Sequence, residues 1–233
     1  MDSAAWFPNA LEVEIVWLSL RVAVTAVVFS LPAGLVCAWI LARWHFPGKS
    51  LFDGLIHLPL VLPPVVVGYA LLVWFGANGA IGRWLASIGI DIAFTWRGAA
   101  LASAVMAFPL MVRAIRLSFE AMDPRLEAAA RTLGASKAAV FLTVSLPLAL
   151  PGIITGSLLA FARSLGEFGA TITFVSNIPG ETRTLPLAIY TLINMPDGEA
   201  AAFRLAAIAV AVSLGAVIVS EAVARRLRRA RHA

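Results

Sequence analysis

Long apolar runs separated by short polar stretches dominate the chain. Five of them, Val13–Leu41, Leu55–Phe75, Ala99–Ile115, Leu148–Phe174 and Phe203–Ala224, have lengths suited to an α-helix crossing the hydrocarbon core, which takes about 20 residues. None alternates with period two as a barrel strand does, so helices are the spanning elements the pattern predicts. Pro59, Pro63 and Pro64 fall inside the second run. They remove backbone donors and predict a kink or break near the membrane middle, serving either as a hinge or as plain packing. Between Ser176 and Gly198, six turn formers (Asn177, Pro179, Gly180, Pro186, Pro196 and Gly198) surround the short apolar run LAIYTLI. That pattern predicts a loop carrying a short interfacial or re-entrant helix. The expected architecture is a single all-α domain over residues 1–233, a polytopic membrane bundle of about five transmembrane helices.

Composition agrees: 61% apolar residues, 13% charged residues and a mean hydropathy of +0.89 exclude a water-soluble globule. Residues Met1 to Glu14 carry Asp2, Glu12 and Glu14 with no base, which is not the charge pattern of a signal peptide, so the first helix is expected to be retained. Orientation follows from Lys and Arg in the short loops, which are held in the cytoplasm. Arg43 and Lys49 follow the first run. Arg113 at the end of the third and Arg116, Arg125, Arg131 and Lys137 after it form one group, and Arg225, Arg226, Arg228, Arg229 and Arg231 follow the fifth. The acidic N-terminus, the 76–98 loop and the 176–202 loop are therefore expected outside, and the C-terminus in the cytoplasm. The net charge of +5 is concentrated beside the spans, so it reads as a topology signal and not as nucleic-acid binding. The basic tail is also suited to membrane lipid head groups.

The seven tryptophans lie near run ends or in loops, as side chains that settle at head-group level do. Cys37, His45, His57 and His232 are scattered without metal-ligand spacing. There is no phosphate-cradling Gly-Lys-Ser/Thr loop, nucleophile elbow or His-Glu-x-x-His helix. The chain is thus expected to be non-catalytic and to bind no cofactor or metal. An intramembrane enzyme would need paired catalytic groups in the spans, and a stand-alone carrier would ordinarily show repeats and more spans.

Two polar features stand out against this apolar background. Inside the fourth run, Arg163 and Glu167 are four residues apart, on one helical face, where an unpaired charge costs at least about 2.5–3.5 kcal/mol. They read either as a pathway or gate pair or as a structural ion pair, with Gly166 and Gly169 permitting close approach or a local break. Arg21 in the first run reads as a snorkelling base. Between the third and fourth runs lies LEAAARTLGASKAAVFLTVSLP, Leu126 to Pro147, an Ala-rich basic stretch. It suits either protein docking or an amphipathic connector on the bilayer.

That stretch resembles the cytoplasmic coupling loop of bacterial ABC importer permeases, whose pattern is Glu-Ala-Ala, three residues, Gly, nine residues, then Ile-x-Leu-Pro. Gly134 and Val144-Ser145-Leu146-Pro147 fit the spacing, while Ala128 stands at the Glu position and Glu127 one residue earlier. A second cluster, FARSLGEFGATITFVSNIPGETRTLPLAIYTLI from Phe161 to Ile193, resembles the permease subunits of molybdate importers. So do LPLVLPPVVVGY at Leu58–Tyr69, FPGKS at Phe46–Ser50 and FPLMVRAIRL at Phe108–Leu117. Sulfate permeases share the coupling loop and parts of the fourth run. The resemblance implies a MetI-like ABC permease fold acting as a homodimer in the bacterial inner membrane and moving molybdate, with tungstate as a further substrate. It implies a coupling loop near 117–147 whose helix, around 126–140, engages a partner through Glu127, Ala128, Ala129, Arg131, Leu133 and Gly134. The implied partners are a second copy of the chain, two ATP-binding cassette subunits that use ATP and Mg, and an external molybdate-binding protein.

Overall fold

The computed structural model describes residues 9–229, with side chains through Ile218; Trp6, Arg231, His232 and the side chains of Arg225, Arg226, Arg228 and Arg229 lie outside it. Helix α1 (Ala10–Arg43) opens on a capping box: Asn9 Oδ1 accepts from the Glu12 amide at 2.8 Å and Glu12 Oε2 accepts from the Asn9 amide at 2.9 Å. Two orphan amides are satisfied at once, which fixes where the first span starts. After Gly48 in the left-handed region come α2 (Lys49–Val61), α3 (Pro64–Phe75) and the short α4 (Ala80–Ser87). Helix α5 (Trp96–Glu120) is the centre of the molecule, and α6 (Pro124–Thr132) follows it. Helix α7 (Lys137–Val140) runs through a π turn (Phe141–Ser145) into α8 (Leu146–Leu165). Helices α9 (Gly169–Val175), α10 (Leu185–Ile193) and α11 (Glu199–Arg229) complete the chain.

The centre is built from small residues that let helices approach closely. Helix α5 lies between α1 and α8 and buries Ala99, Ala102, Met106, Ala107, Met111, Val112, Ile115 and Phe119. Gly152 and Gly156 of α8, four apart, bring it onto this face: a Cβ at Gly156 would stand 2.9 Å from the Met111 carbonyl oxygen, and one at Gly152 would overlap Ser118. Phe203, Val210, Leu214, Val217 and Ile218 of α11 stay exposed, as residues facing lipid do, since lipid is as apolar as they are.

Four of the described helices or continuous helical rods, Ala10–Arg43, Trp96–Glu120, Lys137–Leu165 and Glu199–Ile218, are long and apolar enough to cross a membrane. The α2–α3 pair brings the count to five if it is one span, but its two halves are bent by 110°. The sequence predicts one kinked helix over Leu55–Phe75; the break is far sharper. Consecutive Pro63 and Pro64 supply no amide, and each forces its predecessor into extended backbone: Leu62 has ψ 144° and Pro63 ψ 133°. The fourth run also differs. Its helix begins at Lys137, inside the predicted coupling stretch, and ends at Leu165, not Phe174. Gly166 closes α8, and the remaining apolar residues form the separate α9, packed on α3. The helix predicted over 126–140 is accordingly replaced by the shorter α6, Pro124–Thr132.

Candidate coupling surface and buried ion pair

Helix α6 is set by its caps. The Asp123 side chain accepts from the Arg125 amide at 2.9 Å, and Pro124 occupies the first turn, where a missing amide costs nothing. At the other end Gly134 takes φ +88°, its amide donates to the Arg131 carbonyl at 3.0 Å, and the Ala135 amide donates to the Ala130 carbonyl at 3.1 Å. This paired closure is a Schellman motif, and its left-handed position is the reason for glycine there. Ser136 then caps α7 through the Ala139 amide.

One face of α6 is anchored and the other is open. Glu127 is half-buried; its Oε1 accepts from Arg43 Nη2 at 3.1 Å and from Ser145 Oγ at 2.8 Å. Ala128, Ala129, Arg131 and Gly134 are exposed. Leu126 is 48% and Leu133 89% exposed. Seven residues apart, the two leucines share a face with Ala129. An apolar stripe bare to this degree on a polar helix is suited to covering by another protein. The structure thus separates Glu127 from the other residues predicted for coupling: they point outward and it points in.

Arg163 and Glu167 do meet, at 2.6 Å between Nη1 and Oε2, but not on a continuous helix. Arg163 is in the last turn of α8, whereas Glu167 is in the break. Glu167 is 3% exposed, and its Oε1 accepts from the Ala170 amide at 2.8 Å, so the carboxylate also caps α9. The negative charge at that amino end is favoured by the exposed amides of the first turn. Gly169 presses on the α2–α3 break: a Cβ there would lie 2.7 Å from Pro64 Cβ. Across the same contact, a Cβ on Gly68 would lie 2.5 Å from the Ala170 carbonyl oxygen. Pro64 of the second run and Gly169 of the fourth therefore meet at one junction, while Pro63 beside it is exposed. Pro59 lies apart, in a groove of about 760 Å³ between α1, α2 and α5, and Gly166 lines another of about 640 Å³ between α8, α10 and α11.

Three polar contacts carry no spacing signal because their partners are distant in the chain. Glu12, 4% exposed, pairs with Arg204 Nη2 at 2.6 Å and ties α1 to α11. Arg116 of α5 binds Asp53 at 2.9 Å, tying α2 to α5. Arg21 does not depend on snorkelling alone: its guanidinium lies 3.7 Å from the Trp96 ring centroid, a cation–π contact that also covers its charge.

Residues 30–229 match a family described as binding-protein-dependent transport system inner membrane component. The chain is 62% identical over 215 residues to the molybdenum transport system permease protein ModB of Escherichia coli strain K12, covering 92% of this chain and 94% of that one. It is 40% identical over 197 residues to the sulfate transport system permease protein CysT of the same strain, covering 84% and 71%. Among solved structures, an inward-facing MetNI methionine ABC transporter shares the fold, with a TM-score of 0.71 at 16% identity over 93% of this chain and 96% of that one.

Proposed function

The chain belongs to the family of binding-protein-dependent transport system inner membrane components, and we propose that it is the transmembrane subunit of an ATP-driven importer that moves molybdate, and tungstate as its analogue, into the cytoplasm. The observation that carries the substrate is the 62% identity to a molybdenum permease over nearly all of both chains, against 40% to a sulfate permease. The shared inward- and outward-facing cycle of such importers needs a pathway that five helices do not enclose, so two copies of the chain form it on a two-fold axis. The exposed stripe of α6, with Ala128, Ala129, Arg131, Leu133 and Gly134 around it, is the surface that docks a separate ATP-binding subunit. That partner binds and hydrolyses ATP with Mg; this chain supplies neither nucleotide site nor catalytic group. An external binding protein delivers the oxyanion.

The end of the bundle bearing α6 faces the cytoplasm. Arg43, Arg116, Arg125, Arg131 and Lys137 gather there, whereas Glu12 pairs its counter-charge at the other end, and basic residues are retained on the cytoplasmic side. The N-terminus is then outside. The contact of Pro64 with Gly169, beside the Arg163–Glu167 pair and the α8 end at Gly166, is the gate region. The test is co-purification of the chain with its ATP-binding subunit, followed by uptake in liposomes with and without ATP. Uptake that needs ATP and the ATP-binding subunit supports the reading; uptake driven by an ion gradient without that subunit contradicts it.

A further inference from the structure

Glu127 is an acid on a helix otherwise turned toward a partner, and a carboxylate there is an obvious candidate for direct contact with the ATP-binding subunit. The geometry points elsewhere: we infer that Glu127 is a positioning residue that fastens the docking helix to two membrane helices of its own chain and does not itself touch the ATP-binding subunit. The inference rests on the reading of α6 as the docking helix.

Three observations carry it. First, a single oxygen, Glu127 Oε1, takes both donors, from Arg43 in the last turn of α1 and Ser145 at the head of α8. Second, both donors are withdrawn from solvent: the Arg43 side chain is 16% exposed and Ser145 is 2% exposed. Third, successive residues are turned by about 100° around a helix, so Glu127 points well away from the face shared by Leu126 and Leu133.

Without this node, α6 is joined to the bundle by two short turns, residues 121–123 and 133–136, and most of its surface is bare. A push on its outer face would then be absorbed by those turns. With the node, the push reaches α1 and α8 together, because the carboxylate is held by charge-assisted hydrogen bonds to both. The π turn at Phe141–Ser145 adds a residue to the helical turn, and Ser145 stands at its end. The local irregularity has a role here: it belongs to the segment that presents the hydroxyl to Glu127.

The test uses the whole complex in liposomes, with two readouts: the amount of ATP-binding subunit that co-purifies, and the ATP hydrolysed per molybdate transported. Glu127→Gln and Arg43→Gln each leave co-purification unchanged and raise ATP use per molybdate by about tenfold, the scale of one lost hydrogen bond to a charged group. Combined, they do no more than either alone, since both remove the same contact. Ser145→Ala, the mildest change, shows the same effect at smaller size. Exchange of the pair, Arg43→Glu with Glu127→Arg, recovers part of the coupling. If Glu127→Gln sheds the ATP-binding subunit while Arg43→Gln does not, or if the two effects add, the anchor is refuted and direct contact takes its place. Leu133→Asp separates this from the underlying reading: it should shed the ATP-binding subunit whatever Glu127 does, and if it does not, α6 is not the docking helix.

Discussion

Replacing Arg163 with Met and replacing Glu167 with Gln both abolish the same 2.6 Å ion pair, yet they should differ in cost. Arg163→Met leaves a carboxylate whose side chain is 2% exposed without its counter-charge. Breaking a buried pair from one side costs about 3–5 kcal/mol, and since the Arg163 side chain is 27% exposed, water reaches part of the site and the lower end, about 3 kcal/mol, applies. Glu167→Gln leaves a guanidinium that water already reaches, and its amide oxygen still accepts from the Ala170 amide, so the loss is about 1 kcal/mol. The double variant should be more stable than Arg163→Met alone, because no buried charge remains. For a chain of this size about 2 kcal/mol corresponds to roughly 4–8 °C in Tm. Thermal unfolding of the purified complex in lipid nanodiscs measures it. If Glu167→Gln lowers Tm as much as Arg163→Met, or the double variant is the worst of the three, the assigned burial and capping role of Glu167 is wrong.

Gly68→Ala places a methyl 2.5 Å from a backbone oxygen of α9, so α3 and α9 must separate; the cost is about 1–3 kcal/mol, read as a lower Tm and a changed accessibility of α9 to cysteine labelling after Thr173→Cys. Gly134→Ala meets no atom within 4 Å but must adopt φ +88°, so about 1–2 kcal/mol of backbone strain should fray the end of α6, seen as faster amide exchange at Leu133–Ala135 with the membrane helices unaffected. Arg204→Met leaves Glu12 buried without this partner and should lower Tm by several degrees, while Arg204→Lys recovers part of the loss.

How far the chain could be read in advance depended on how local each signal was. The spans were legible because lipid demands a continuous apolar run, and the ends of α1, α5 and α11 fall within a few residues of the runs that predicted them. The bend was legible as prolines in the second run but not in its size of 110°, nor in the close packing of α3 on α9 at Gly68 beside it. The end of the fourth span was not legible. Residues 168–175 continue the apolar pattern, and the break at Gly166 is held by Glu167, whose second acceptor role needs the α9 amide to be in place. Arg163 and Glu167 were legible as a pair from their spacing alone. The inward turn of Glu127 was not, because its donors are 84 residues before it and 18 after it. On α6 the place of Gly134 was legible from the spacing of the stretch, while the Asp123 and Ser136 caps and the bareness of Leu133 became visible only in the structure.

The most direct test of the account is ATP-dependent uptake of labelled molybdate into liposomes holding this chain, its ATP-binding subunit and its binding protein, competed separately with tungstate and with sulfate. The account predicts that tungstate suppresses uptake and that sulfate, at the same concentration, leaves it intact. Strong suppression by sulfate, or transport of labelled sulfate in its own right, would contradict it and make the protein a sulfate-type permease.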